Sequence, residues 1–302
     1  MRRRDSAELA LLVTVVIWSA NFSAVKVGVG AIAPLAFAVV RFALGAVVTV
    51  AVVVGREGWP RFQRRDLPLL LAAAVTGITI NQAAFVGALH ATTAVNVALL
   101  IGTIPVWTAV IAVLSHQEHV TRSLWLAIAA GLMGATLIVA GGHEAVGGLN
   151  VVGELLALLT AASWAVYSVL IRPLMQRYSA FQLSAFMMVV GTLILVPFAI
   201  PDLVAQDWAA VPANAWLALL YAAILSVSVT NILYFTAIHR IGASRAALFT
   251  YLEPFLGALL AVVLLGESIG LLQLLGGAVV LGSVAVGRGH GRGSDLIAEP
   301  GI

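Results

Sequence analysis

The sequence contains no cysteine and few charged residues, and both absences restrict what the protein can be. Without cysteine the chain can form neither a disulfide nor a thiolate metal ligand. Only 10% of the 302 residues are charged, whereas soluble domains average about 25%. No ATP-binding signature is present, and the basic residues form no dense patch with interleaved aromatic residues. The composition therefore excludes a soluble protein and argues against nucleic-acid binding, and any pumping must use an ion gradient or a partner.

Long apolar segments make up most of the chain. Hydrophobic residues account for 62% of it, and the mean hydropathy is +1.07. Ten runs reach the length of about 20 residues that crosses a bilayer. The sequence therefore predicts an all-α membrane protein, with the lipid bilayer as its surroundings and ten transmembrane helices. We place these helices at 9–29, 34–54, 67–89, 93–114, 123–140, 151–171, 180–200, 214–237, 244–265 and 270–287.

The second half of the chain repeats the first. A shift of 149 residues places Pro105 on Pro254, and a shift of 146 residues places Trp18 on Trp164. Each repeat holds five predicted helices, and an odd number of crossings forces the second repeat to insert upside down. Inverted repeats of this kind are typical of secondary transporters. We divide the chain into a first repeat, a second repeat and a cytoplasmic tail, at 1–142, 143–287 and 288–302.

The distribution of charge predicts the orientation in the membrane. Of the 16 Lys and Arg residues, 14 lie in segments on the same side as the N-terminus or, for Arg245, at the helix end next to such a segment. The two others, Lys26 and Arg41, lie within predicted helices, and the loops on the opposite side contain none. Basic residues concentrate in cytoplasmic loops. We therefore expect both termini to be cytoplasmic and the protein to be integral to the cytoplasmic membrane.

Polar and aromatic side chains recur on single faces of several predicted helices, at matched positions of the two repeats. Residues three or four apart share a helix face, and amides in lipid need hydrogen-bond partners. Such stripes either hold helices together or line a solute path, and their recurrence in both repeats favours the path. The predicted substrate-binding residues are Trp18, Asn21, Asn81, Gln82, Phe85, Trp107, Trp164, Tyr167, Asn231 and Tyr234.

Two prolines and two charged residues are candidates for coupling or gating. Pro105 and Pro254 lie in the middle of the fourth and ninth runs and predict bent helices. Glu253 lies about nine residues into the ninth run, near the bilayer midplane, where proton exchange could couple to helix bending. Otherwise Glu253 is a structural carboxyl tied to freed backbone groups. Arg41 has two possible roles. It either forms a structural contact, with a carbonyl or with Glu253, or it contacts substrate, and we favour the structural contact.

Several short stretches of the sequence carry a family resemblance: Trp18–Phe22, Arg41-Phe42, Ile104-Pro105, Leu252-Glu253-Pro254 and Gly266-Glu267. Together they resemble the EamA family of the drug/metabolite transporter superfamily. The resemblance implies ten helices in two inverted five-helix repeats around a central cavity. It also implies export of amino acids, other metabolites or toxic compounds. The turn at 115–118 departs from the family pattern, which more often has an aliphatic residue and glycine before the glutamate.

These observations favour a secondary transporter that exports small metabolites such as amino acids by alternating access. Aromatic or other apolar amino acids fit the predicted lining best, and protons are a candidate driving ion. A broad-specificity drug or toxic-compound exporter is the alternative. An intramembrane enzyme is less favoured because no nucleophile–base pair is evident, and we expect no metal or cofactor. Small residues at Ala127, Gly131 and Ala135 predict close helix packing, either within the monomer or in a homodimer.

Overall fold

The computed structural model describes residues 2–114, 122–146, 151–241 and 249–288. Over these ranges the chain is helical, and no strand occurs in them. Two π-helical segments, Val75–Ile80 and Tyr221–Val229, join α3 to α4 and α10 to α11. The helices are α1 (Arg2–Val29), α2 (Pro34–Glu57), α3 (Leu67–Ala74), α4 (Asn81–Ala91), α5 (Ala94–Ile101), α6 (Ile104–Leu114), α7 (Arg122–Val146), α8 (Val151–Ile171), α9 (Ala180–Ala205), α10 (Ala213–Leu220), α11 (Thr230–Ile241), α12 (Glu253–Leu265) and α13 (Leu271–Arg288).

Most of the predicted membrane crossings meet the length and composition of a membrane-spanning helix. Eight helical segments of the described chain do so. The ninth and tenth predicted runs are represented by two shorter apolar helices, Glu253–Leu265 and Leu271–Ser283. The start of the ninth run, within 242–248, and the tail at 289–302 lie outside the described residues. The all-helical membrane fold is thus confirmed, and the count of ten crossings stays a prediction.

The prolines interrupt helices instead of bending them, which corrects the sequence prediction. The fourth run turns through Gly102–Thr103, and Pro105 is the second residue of the next helix. The ninth run turns at Tyr251–Leu252, and Pro254 is again the second residue of a helix. Proline lacks an N–H and clashes inside a helix, whereas the first helical turn needs no such donor. Glu253 therefore opens α12 and does not lie inside a longer helix.

The irregular points of the two repeats coincide. A shift of 149 residues moves the turn at Gly102–Thr103 onto the turn at Tyr251–Leu252. The same shift moves the π segment Val75–Ile80 onto residues 224–229, inside the second π segment. π-Helical turns are rare and occur frequently at functional sites. Their occurrence at matched positions supports the internal repeat found in the sequence.

Helices from the two repeats pack on each other in reciprocal pairs. In the first repeat α1 packs on α11 and α12, and in the second α8 packs on α4 and α6. The equivalent helices α2 and α9 pack together, as do α7 and α13. When two repeats are related by a two-fold axis, every contact between them occurs twice, with the roles of the repeats exchanged. The contact of α1 with α11 therefore requires an equivalent contact of α8 with α4. The pairs named above have this reciprocity.

The small residues of α7 face the interior of the monomer. Ala127 and Ala135 are buried, and a side chain at Gly131 would meet Val106 and Ser283. The closest approach in this contact is between Gly134 and Gly276, where each lies against the backbone carbonyl of the other. This packing within the monomer is the simpler of the two sequence interpretations, and a homodimer stays a prediction.

Among the described residues, the buried apolar core forms one large cluster toward one end of the bundle and two smaller clusters toward the other. The largest cluster draws on both repeats, from Phe22 to Val280, and lies toward the end that carries Glu267. At the opposite end a second cluster joins α2, α3 and α9, and a separate small one joins Ala7 and Leu11 to Ala237. All three clusters therefore contain residues of both repeats, and the largest of them lies toward the Glu267 end.

Candidate functional site

Trp18 in α1 reaches across to the second repeat. Its indole Nε1 donates to Thr230 Oγ1 at 2.9 Å and to the carbonyl of Ser226 at 3.1 Å. The Thr230 hydroxyl donates in turn to the same carbonyl at 2.6 Å. The Trp18 ring also packs on Tyr234, with 5.2 Å between ring centroids. Two predicted substrate residues, Trp18 and Tyr234, are thus brought together.

Asn81 and Gln82 in α4 form the matching polar contact with α8. Asn81 Nδ2 donates to the carbonyl of Thr160 at 2.9 Å and to Ser163 Oγ at 3.2 Å. Gln82 Nε2 donates to Asn81 Oδ1 at 2.7 Å. Both amides are buried. Part of this arrangement is interhelical hydrogen bonding, which was the alternative to a binding role for Asn81, but Gln82 Oε1 is left without a partner.

Trp164 and Tyr167 form an aromatic pair on α8. Their ring centroids are 5.1 Å apart, and the Tyr167 ring lies directly against Gly77 of the first π segment. A side chain at Gly77 would collide with that ring, so glycine permits the contact. Trp164 is 40% exposed, and in the described chain no hydrogen bond holds its indole N–H. The two matched tryptophans therefore differ in how firmly they are held.

Arg41 is buried between aromatic rings and one backbone carbonyl. Its Nε donates to the carbonyl of Ala222 at 3.3 Å, at the start of the second π segment. Its guanidinium carbon lies 5.2 Å from the centre of the Phe42 ring and 6.0 Å from that of Phe85. The carbonyl partner agrees with one of the two structural partners predicted for Arg41. Within the described residues no ion pair joins Arg41 to Glu253.

The two helix breaks meet each other inside the bundle. A Cβ at Gly102 would stand 3.3 Å from Pro254, so the break in one repeat touches the break in the other. The Ser19 hydroxyl of α1 donates to the backbone carbonyl of Glu253 at 3.1 Å. At the N-terminus of α12 the Glu253 carboxyl lies where a helix favours negative charge. Pro105 occupies the equivalent helix start in the first repeat.

The remaining predicted residues are less closely connected. Phe85 packs edge-on against Phe22 at 5.8 Å between ring centroids. Asn21 is buried with Oδ1 unpaired, and the indole N–H of Trp107 is likewise buried without a partner among the described residues. Asn231 is only partly buried. No described hydrogen bond or ring contact links Asn231 or Trp107 to the rest of the predicted set.

Sequence reasoning missed two hydroxyls that fasten the π segments. Thr79 Oγ1 donates to the carbonyl of Gly191 at 2.8 Å, and Ser228 Oγ donates to the carbonyl of Gly45 at 3.3 Å. A shift of 149 residues relates the two hydroxyls, and a shift of 146 relates the two glycines. The signal was thus present in the repeat, but a π segment is needed to explain why these side chains face a neighbouring helix.

A polar cluster closes the Glu267 end of the bundle. Gly266 ends α12 in the left-handed conformation, with φ 68°, and so directs the next residue back over α5. The Glu267 carboxylate accepts hydrogen bonds from the backbone amides of Ala94 at 2.9 Å and Val95 at 2.8 Å. Lys26 Nζ donates to the carbonyl of Thr92 at 2.6 Å. These contacts tie α1, α5 and α12 together where the shared core lies.

Buried amides extend this closure to the interior. Gln273 Nε2 donates to Asn96 Oδ1 at 2.5 Å, and Asn96 Nδ2 donates to Glu154 Oε1 at 3.2 Å. All three side chains are buried, and they belong to α13, α5 and α8. A separate apolar groove of about 190 Å³ lies between α5, α12 and α13. None of the predicted substrate residues lines that groove.

The long apolar helices, the interrupted helices and the polar side chains between the repeats define a helical membrane transporter. The chain belongs to the EamA-like transporter family, whose model matches residues 5–140 and 151–287. The two matches agree with the two repeats predicted from the sequence. The resemblance to the drug/metabolite transporters is thereby confirmed.

Relatives named as transporters cover nearly the whole chain. An uncharacterized transporter of Archaeoglobus fulgidus is 28% identical over 93% of this chain and 96% of its own. A probable terminal-alkyne amino-acid exporter of Streptantibioticus cattleyicolor is 29% identical over 93% of this chain and 92% of its own. A solved crystal structure with 20% identity matches with a TM-score of 0.64, covering 94% of this chain and 98% of the other, and shows the fold.

Proposed function

We propose that this protein is a secondary transporter that exports small metabolites by alternating access. Amino acids are the proposed substrates, with aromatic or other apolar ones favoured. The observation that carries the proposal is the set of indole, phenol and amide side chains on α1, α4, α8 and α11, which contact one another or the opposite repeat. Aromatic faces offer a solute large contact area, and a few amides give it orientation. The amino-acid exporter among the relatives supports the same substrate class.

The proposed architecture is ten helices in two inverted repeats, at 1–142 and 143–287, with both termini cytoplasmic. The reciprocal packing of the helices and the matched breaks support it. Cysteines replacing Gln63 and Gln176 should resist an impermeant thiol reagent added outside intact cells, whereas a cysteine replacing Ala210 should react. All three positions are exposed, and the natural chain has no cysteine to interfere. Labelling of the Gln63→Cys variant from outside would contradict the topology.

The proposed substrate path uses the side chains predicted from the sequence. The pair Trp18–Tyr234 is one proposed wall, and the pair Trp164–Tyr167 is the other. Asn21, Asn81, Gln82, Phe85, Trp107 and Asn231 are the other proposed contacts. Substitution of a wall residue should lower transport while the protein still inserts in the membrane.

Glu253 and the two helix breaks are the proposed coupling elements. Pro105 and Pro254 keep the breaks open, since neither can donate the backbone hydrogen bond that would close them. Glu253 beside the second break is the proposed proton carrier. The test is Glu253→Gln in proteoliposomes with and without an imposed pH gradient. Loss of gradient-driven export with intact substrate binding supports the role, whereas unchanged gradient-driven export would show that Glu253 is structural.

Substrate binding tests the proposal directly. The purified chain should be stabilised against heat by apolar amino acids, because a ligand that binds the folded state raises its stability by mass action. Phenylalanine and tryptophan should raise the melting temperature, and glutamate should not. A response to unrelated hydrophobic cations and not to amino acids would instead favour the broad-specificity drug exporter.

A further inference from the structure

We propose that Arg41 and Gln82 form a clamp for the carboxylate and ammonium groups of a zwitterionic substrate. The inference rests on the proposed function and deepens it, because it names the chemical groups of the substrate that the site recognises. The inference rests on two buried side chains near Phe85 of α4. Arg41 is a cationic donor and Gln82 is a neutral acceptor, and each has a polar atom without a partner among the described residues.

The described residues give the guanidinium of Arg41 no counter-ion. Arg41 is 4% exposed, and its Nη1 has no hydrogen-bond partner among them. Its one hydrogen bond in the described chain leaves from Nε, to the carbonyl of Ala222. A buried charged donor without a partner is costly. The fold nevertheless retains it, which is expected where the missing partner arrives with a ligand.

A carboxylate is the group that completes this arginine. Guanidinium and carboxylate form paired, charge-assisted hydrogen bonds with fixed geometry. Glu253, which the sequence offered as a partner, does not supply them, because no ion pair joins the two in the described chain. The Phe42 and Phe85 rings beside the guanidinium exclude water and strengthen an ionic contact made there.

The hydrogen bonds of α4 determine which atom of the Gln82 amide, oxygen or nitrogen, has no hydrogen-bond partner. The carbonyl of Thr160 can only accept, so Asn81 must present its nitrogen to it. Asn81 Oδ1 then faces Gln82 and accepts from its Nε2. Gln82 Oε1 remains as a buried acceptor without a partner among the described residues. An ammonium group, which carries donors and no acceptor, matches that atom.

Phe85 connects the two unpaired groups, by a ring contact to Arg41 and by helix spacing to Gln82. Gln82 lies three residues before Phe85 on α4, so the two share a helix face. Phe85 is the ring that flanks the Arg41 guanidinium. Asn21, beside the Phe22 that contacts Phe85, adds a second unpaired acceptor. In an α-amino acid, carboxylate and ammonium are attached to the same carbon, which matches a donor and acceptors gathered around one side chain.

The test compares three ligands on the purified full-length protein. They are L-phenylalanine, L-phenylalaninamide, which lacks the carboxylate, and 3-phenylpropionate, which lacks the ammonium. The wild type should bind phenylalanine at least about tenfold more tightly than either analogue. Arg41→Gln should abolish the preference over the amide, and Arg41→Lys should retain part of it. Gln82→Leu should lower the preference over 3-phenylpropionate.

Arg56→Gln is the matched control. It removes the same charge from the same helix at its exposed end, and should leave both preferences unchanged. A merely structural role for Arg41 would lower the yield or stability of its variants without changing the ratio between ligands. The wild-type ratios do not depend on any variant folding.

The outcomes separate this inference from the proposed function. Equal binding of phenylalanine and its amide by the wild type would overturn the clamp and leave an exporter of apolar solutes in place. Equal binding of phenylalanine and 3-phenylpropionate would overturn the role of Gln82. Binding of none of the three would overturn the amino-acid substrate class and the clamp with it.

Discussion

Trp18 and Trp164 occupy matched positions, yet substitution of each by phenylalanine should have different consequences for stability. Trp18→Phe keeps a ring against Tyr234 but removes the indole N–H that binds Thr230 and Ser226. The acceptors are not orphaned, because the Thr230 hydroxyl still donates to the Ser226 carbonyl. The cost is therefore limited to the bonds lost.

The magnitude follows from the two hydrogen bonds. Interhelical hydrogen bonds in membrane proteins average about 0.6 kcal/mol and reach about 1.7 kcal/mol. Trp18→Phe should therefore destabilise the fold by about 1–2 kcal/mol. Trp164 is 40% exposed and makes no such bond in the described chain, so Trp164→Phe should change stability by less than about 0.5 kcal/mol.

The assay is the apparent melting temperature of the purified protein in one detergent. It is measured by monitoring the loss of the monodisperse species on heating. Trp18→Phe should lower it by about 2–4 °C, while Trp164→Phe should leave it close to that of the wild type. Transport by both variants should fall, because both rings are proposed to contact substrate. Equal melting temperatures for the two variants would refute the reasoning that the Trp18 indole links the repeats.

Two further substitutions test packing seen in the structure. Glu267→Gln should lower stability by about 1 kcal/mol, seen as a lower melting temperature, because the carboxylate accepts from the first two amides of α5; an unchanged value would show that this contact is not maintained. Gly134→Ala should cost about 1–3 kcal/mol, because its Cβ would come within 2.7 Å of the Gly276 carbonyl oxygen, whereas Gly282→Ala on α13 meets open space and should be neutral. Equal effects of the two glycine substitutions would contradict the α7–α13 crossing.

The helix positions followed from the sequence because apolar length is a property of the chain alone. The runs predicted at 34–54 and 151–171 correspond to α2 (Pro34–Glu57) and α8 (Val151–Ile171). The π segments could not be predicted in the same way. The stretch Val75–Ile80 consists of five β-branched residues and one glycine, a composition that does not distinguish π-helical from α-helical hydrogen bonding. The hydrogen bonding it adopts depends on how neighbouring helices pack against it.

In the candidate site, too, some features could be predicted from the sequence and others depend on tertiary packing. Pairs such as Trp18 and Trp164 could be found by superimposing the repeats, because that needs only spacing. Their partners could not, because each contact joins residues far apart in the chain, such as Asn81 and Thr160. For Arg41 the sequence left a carbonyl and Glu253 as alternatives, and only the packing of α2 on the second π segment decides between them.

The uneven core of the bundle gives the proposed transport cycle a direction. Among the described residues, the repeats share one large apolar cluster at the Glu267 end, where Glu267 and Lys26 add polar contacts, and two smaller clusters at the opposite end. In the proposed orientation the Glu267 end faces outside, and we propose that these contacts close it. Because the helix contacts are reciprocal, exchanging the roles of the repeats would yield the opposite state with the same set of pairings. The contact between Gly102 and Pro254 joins the two breaks, so we expect it to persist in both states while the helix ends on either side of it move.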